Sequence, residues 1–154
     1  MKAERTYKEL QEFDNAATAY LVANGYYDKD NRRFTDKEPT KLVSNMRNVI
    51  KQCSKHFEEF EECMEELRID HCSVDEKSKV ILRELDKTYK YTKEKLKELN
   101  TAAKNLRNEK VVIHERMTVL EKDQKWDLSE EEIRCFGGLI IPKEAESEEE
   151  AKKE

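Results

Sequence analysis

Apolar residues recur at helical spacing along most of the chain. In the first stretch Tyr7, Leu10, Phe13, Ala17, Tyr20 and Leu21 keep to one face, which predicts a helix over 6–23. Asn24-Gly25 closes it, with Gly25 suited to a left-handed cap. Residues 25–38 are rich in turn formers. Tyr26-Tyr27 and Arg33-Phe34 flank Asp28-Lys29-Asp30-Asn31, the pattern of a loop or small hairpin. A second helix is expected over 39–70, opened by a Thr35–Glu38 capping box or by Pro39 at a first helical position. A third is expected over 74–108, where Ser73 and Glu76 fit a capping box.

This third segment has the most regular pattern. Leu82, Leu85, Tyr89, Thr92, Leu96, Leu99, Ala103 and Leu106 keep a strict 3-4 rhythm, the signature of a coiled-coil seam. A reversal between Cys72 and Ser73 sets them opposite Cys63, Phe60, His56, Cys53, Val49, Met46, Leu42 and Pro39. It also sets Glu66 opposite Lys79, Glu62 opposite Arg83 and Glu58 opposite Lys87. The charges agree with that pairing. Glu58 to Asp70 holds seven acids and one base, and Lys77 to Lys110 holds eleven bases and five acids. The expected fold is mainly α: an antiparallel coiled-coil helical hairpin, a short N-terminal helix and a possible small β element, within one domain over 1–142.

Residues 109–121 read two ways. The heptad continues through Lys110, Ile113, Met117 and Leu120, but Val111-Val112-Ile113 is β-branched and Val111, Ile113, Met117 and Val119 alternate. The segment is either a helix continuation or a strand paired with the Tyr26 to Phe34 region. Ser129 and Glu132 frame a short helix over 129–136, which Gly137-Gly138 stops. Leu139-Ile140-Ile141 is too apolar for a free tail and is expected to dock. The acidic, low-complexity residues 143–154 are expected to be disordered.

Composition narrows the class. Ala, Glu, Leu, Lys and Arg make up about half of the 154 residues, the composition of long paired helices. Three glycines and two prolines give little support to sandwiches, barrels or Gly-rich nucleotide loops. A net charge of −5 and a pI near 5.5 argue against nucleic acid as a main partner. The basic face Lys87, Lys90, Lys93, Lys97 and Lys104 is interleaved with Glu94 and Glu98, which favours helix-surface ion pairing over phosphate binding. No apolar run is long enough to span a bilayer, and the charged start has no apolar h-region. A cytoplasmic setting and free thiols at Cys53, Cys63, Cys72 and Cys135 are expected.

Candidate chemistry is sparse. Cys53 and His56 share a helix face at a spacing that can chelate zinc. The competing reading is a polar layer in the seam, with His56 near Tyr89 and Cys53 near Thr92, fixing register. His71-Cys72 at the hairpin tip is read as solvated, and His114 as structural. No catalytic constellation or cofactor motif accompanies them. Val43, Ile50, Phe57 and Met64 form a second stripe beside the seam, the expected interface of a homodimer or of a protein partner.

The order of features is itself informative. A short N-terminal helix precedes a hairpin of long charged helices, a β-branched stretch, and Leu128-Ser129-Glu130-Glu131-Glu132-Ile133 leading to Gly137-Gly138-Leu139-Ile140-Ile141. It resembles the small helical-hairpin proteins of phage and mobile-element genomes. That resemblance implies a phage-type accessory or assembly role in a host cytoplasm or virion, and it carries over no functional residue. Prefoldin-type chaperones also have coiled-coil hairpins, but the short turn expected near His71 to Ser73 leaves no room for their strands. The expected function is a non-enzymatic interaction or assembly protein; the alternative is a small regulatory module acting on a host protein or nucleic acid.

Overall fold

In a computed structural model, which describes residues 2–118 and 128–142, the chain is mainly helical with two small two-stranded antiparallel sheets. Its elements are β1 (Lys2–Thr6), α1 (Tyr7–Ala23), β2 (Tyr27–Asp28), β3 (Arg33–Phe34), α2 (Lys41–His71), α3 (Lys93–Arg107), β4 (Lys110–His114) and α4 (Glu130–Phe136). The chain, read from its sequence as one domain, forms two compact units, and α2 contributes residues to both. Unit 1 holds residues 1–54 and 110–154, and unit 2 holds Lys55–Glu109. The acidic residues 143–154, and the end of the 109–121 segment beyond 118, lie outside the described residues.

Unit 1 grows from local signals. Thr6 and Glu9 form a reciprocal capping box at the start of α1. At its end Gly25 takes φ 78°, the Tyr26 amide donates to the Leu21 carbonyl and the Gly25 amide to Val22. That is a Schellman closure, which places the C′ residue in the left-handed region. The β2–β3 hairpin pairs Tyr27 with Phe34 and Asp28 with Arg33. Helix α2 starts at Lys41, and the Thr40 hydroxyl accepts from the Val43 amide. The Thr35–Glu38 box is not used.

The β-branched stretch becomes β4, but its partner is not the Tyr26 to Phe34 hairpin. It pairs antiparallel with β1, Ala3 opposite Ile113 and Glu4 opposite Val112. Five residues of β1 had no strand signal beyond Ala3 between charges, so the sequence pattern missed them. Ile113 is fully buried, and the unit 1 core also includes Leu10, Phe13, Leu21, Val43, Met46, Val49, Cys53, Phe136 and Leu139 to Ile141. Burying each large apolar side chain contributes about 1.5–3 kcal/mol. Phe136 meets Phe13 edge-on at 5.7 Å and Tyr20 at 6.3 Å, and this fastens α4 to α1.

A ladder of side-chain amides joins α2 to the end of β4 and the chain that follows it. The Asn45 amide donates to the Thr118 hydroxyl at 2.7 Å, Arg116 Nε donates to Asn48 Oδ1 at 3.2 Å, and Gln52 exchanges two hydrogen bonds with the His114 backbone. Asn45, Asn48 and Gln52 follow 3-4 helical spacing, and 114, 116 and 118 are alternate positions of an extended chain. A helix rising about 1.5 Å per residue and a strand rising about 3.3 Å bring these sets into step. On its other side the extended chain is held by the Arg116 amide donating to Leu139 and the Thr118 amide to Ile140.

In unit 2 the expected helix over 74–108 is shortened to Lys93–Arg107. Residues 73–91 fold into a knot of turns and bridges instead, Val74 with Val80 and Leu82 with Tyr89. Ser73 donates to Lys90, Lys90 to Ile81 and Ile81 to Ser73, a closed ring of three backbone hydrogen bonds. Asp75 accepts from the Lys77 and Lys79 amides, and Asp86 from the Thr88 amide and hydroxyl. Such side-chain turns compete with helix for the backbone, and Val80-Ile81 adds β-branched stiffness. Thr92, the off-type member of the expected seam, is the N-cap of α3 and accepts from the Lys95 amide.

Candidate interaction surface

The loop breaks the register read from the sequence. Leu85 is 91% exposed and Leu82 45%, so neither occupies a seam. The expected pairs Glu66–Lys79, Glu62–Arg83 and Glu58–Lys87 do not form. The ion pairs of unit 2 are local: Arg68 with Glu61 and Glu65, Arg83 with Asp86, Lys95 with Glu98 and His56 with Glu59.

The knot of turns instead roofs a groove of about 910 Å³ lined by Ile69, Val80, Leu82, Tyr89, Tyr91 and Leu96, with Glu65, Arg68, Arg83 and Lys87 among its polar walls. Six of the eight exposed large apolar side chains among the described residues fall between Ile69 and Leu96. The polar wall is ordered. Arg68 reaches Glu61 at 2.8 Å and Glu65 at 3.1 Å, and Glu65 also accepts from the Tyr89 hydroxyl. The Tyr89 hydroxyl, and then Arg68, hold the Glu65 carboxyl below the usual carboxylate range; the same bond raises the Tyr89 phenol. Lys87 turns the chain with φ 56°, and Ser78 does so with φ 61°. Both are left-handed positions where most residues are disfavoured.

The residues singled out from the sequence lie elsewhere or act differently. Val43 is fully buried in unit 1 and Met64 is buried in unit 2, while Ile50 and Phe57 are half-buried. Two of the four members of the expected interface stripe are thus taken up by the chain's own cores. Cys53 is fully buried, and burial, followed by the nearby Asp14 carboxylate of α1, pushes its thiol up to about 12. A thiol held protonated is a poor zinc ligand at neutral pH. The His56 ring lies 3.5 Å from Glu59. Among the described residues no group of three or more His, Cys, Asp or Glu side chains is placed to hold a metal ion. Nor does the expected polar layer form, since Tyr89 donates to Glu65 and Thr92 caps α3. His71 and Cys72 bond to carbonyls of their own helix, Leu67 at 2.7 Å and Ile69 at 3.2 Å. His114 contributes its backbone to the amide ladder. Of the basic residues, Lys93, Lys97 and Lys104 stand exposed on α3, and Lys87 and Lys90 lie in the turns.

A second cavity, about 690 Å³, lies in unit 1 between α1 and α4, floored by Ala16, Ala19 and Ala23 and edged by Glu12, Glu131 and Arg134. Arg134 approaches Glu12 at 3.6 Å. All four cysteines are free thiols. No described helix is long and apolar enough to cross a membrane. Comparison of the chain with protein-family models, curated proteins and solved structures finds no match.

Proposed function

We propose that this chain is a non-enzymatic interaction or assembly protein that engages a protein partner through unit 2. One observation carries the reading: the exposed apolar side chains concentrate around a single groove, where Ile69, Val80, Leu82 and Leu96 are each 38–47% exposed. Scattered apolar residues need no explanation, whereas a contiguous cluster rimmed by charge marks an interface. The layout supports it. Within unit 2, the 17 residues of α2 from Lys55 to His71 span about 25 Å and the 15 residues of α3 about 22 Å, with the turns over 73–91 between them in the chain. A phage-type assembly role, implied by the sequence resemblance, is of the same kind. The acidic side of α2 beside the groove disfavours a phosphate backbone as the occupant.

The test is a photocrosslinking residue at Leu82, with a control at Val22 on α1, in cells that make the protein. Protein adducts from Leu82 and none from Val22 support the reading. Equal yields, or no adduct at either position, overturn it.

A further inference from the structure

We infer that the occupant of the unit 2 groove is a second copy of this chain, held in a two-fold arrangement by exchange of acidic and basic helix faces. The inference rests on reading the groove as a protein surface. Its own ground is an imbalance of charge. From Glu58 to Asp70 helix α2 carries seven acids and one base; from Lys87 to Arg107 the chain carries seven bases and two acids. Such surfaces on one unit would be expected to satisfy each other, yet no described ion pair joins α2 to α3 or to the turns. Glu58 and Glu62 on α2, and Lys93 and Lys104 on α3, are all exposed.

Their placement fits one geometry. Glu58 and Glu62 precede Glu65 and Ile69 at helical spacing, so they share the side of α2 that lines the groove. Lys93 and Lys104 share the side of α3 that carries Leu96. The apolar strip of Ile69, Val80, Leu82 and Leu96 thus runs between an acidic and a basic border. A surface of this kind is its own complement. Turned about a two-fold axis, the strip meets itself, and each acidic border meets the other copy's basic border, twice per dimer. A partner of uniform charge would match one border and repel the other.

The experiment is equilibrium sedimentation of the full chain. Four samples are compared with wild type: Leu82→Glu, Glu58→Lys with Glu62→Lys, Lys93→Glu with Lys104→Glu, and an equal mixture of the two charge-reversed proteins. Wild type is expected at twice the 18.3 kDa chain mass, reversibly with dilution. Leu82→Glu and each reversed protein alone are expected to associate about tenfold or more weakly. The mixture is expected to regain the dimer, because each acidic border then faces a basic one in both halves. Circular dichroism checks that helix content is kept, as it should be where no ion pair within the chain is lost. A wild type that stays at the mass of one chain overturns the inference, as does a reversed protein that dimerises like wild type or a mixture that does not recover. The two readings separate cleanly. If wild type is monomeric while the Leu82 crosslinker captures a different protein, the second copy falls and the interaction surface stands; if the crosslinker captures nothing, both fall.

Discussion

Cys53 and Asp14 are two ionisable side chains placed where ionisation is costly. Burial raises the Asp14 carboxyl above its usual range, and that carboxylate adds to burial in raising Cys53 to about 12. The thiols should therefore separate by reactivity at neutral pH: half-buried Cys63 and Cys72 modified first, and Cys53 only on unfolding. Thiol labelling followed by peptide mass analysis checks this, and equal labelling of Cys53 in the native protein would contradict it. Asp14 gives a second outcome. A raised folded-state carboxyl means the folded protein holds the proton more tightly, so stability falls as pH rises from the unfolded value through the folded one. Asp14→Asn should then be at least as stable as wild type at neutral pH, the gap closing in acid, as read by denaturant melts at several pH values. Glu65 has the opposite sign. Its lowered carboxyl favours folding above the unfolded carboxylate range, and the contribution is lost as pH falls through the folded value. Tyr89→Phe removes the largest cause of that shift, so the variant's unit 2 should respond less to acid than wild type's.

Helix α3 and the turns before it show which signals carry across from sequence to element. Capping chemistry did so at Ser129, which caps as its spacing with Glu132 requires, while the Thr6–Glu9 box came to light only in the structure. The β2–β3 hairpin, the docking of Leu139 to Ile141 and the choice of Gly25 for a left-handed turn were equally legible. From Leu82 to Tyr89 a perfect 3-4 rhythm was misleading, because periodicity reports spacing and is blind to what Asp75 and Asp86 do with nearby amides. Thr92 held the correct information in the form of an exception to the rhythm. The unit 2 groove was illegible for the same reason, since it exists only once the turns place Val80 and Leu82 beside Ile69 and Leu96. Strand β1 and the amide ladder needed tertiary partners that no local pattern announces. Two substitutions decide between the helical and the turned segment. Leu85→Ala should change stability by no more than about 0.5 kcal/mol, as at other exposed sites, whereas a seam leucine would cost about 2–5 kcal/mol. Thr92→Ala should cost about 1 kcal/mol as the loss of an N-cap, and little if Thr92 lay inside a helix. Chemical denaturation of both variants reads the difference.

The two units share a helix but not the work of stabilising the chain. Every fully buried large side chain, from Phe13 and Phe136 to Val49 and Cys53, belongs to unit 1. The buried residues of unit 2 are Met64, Leu99, Ala103 and Leu106, and each keeps 6–8% of its surface in water. Its turns rest on backbone hydrogen bonds among exposed residues, such as Arg83 to Thr88 at 2.7 Å. Segments with few buried apolar contacts open at lower free energy than the global transition. Native-state hydrogen exchange should therefore give two levels of protection: high for α1, for β4 and for the Arg116 and Thr118 amides, and lower for α3 and the turns over 73–91. Phe136→Ala removes a ring set edge-on to Phe13 and Tyr20 and should cost about 3–5 kcal/mol, lowering the higher level. Leu99→Ala should speed exchange across α3 and leave α1 unchanged. A single protection level in wild type, or a Leu99→Ala variant that loosens α1 as much as α3, would mean that the units open together. The division also bears on the proposed dimer. A second copy on the groove buries surface that unit 2 lacks, so its amides should slow with rising protein concentration while those of unit 1 hold constant. An isolated unit would need more core to stand alone, whereas one completed by its own copy needs only a surface that matches itself.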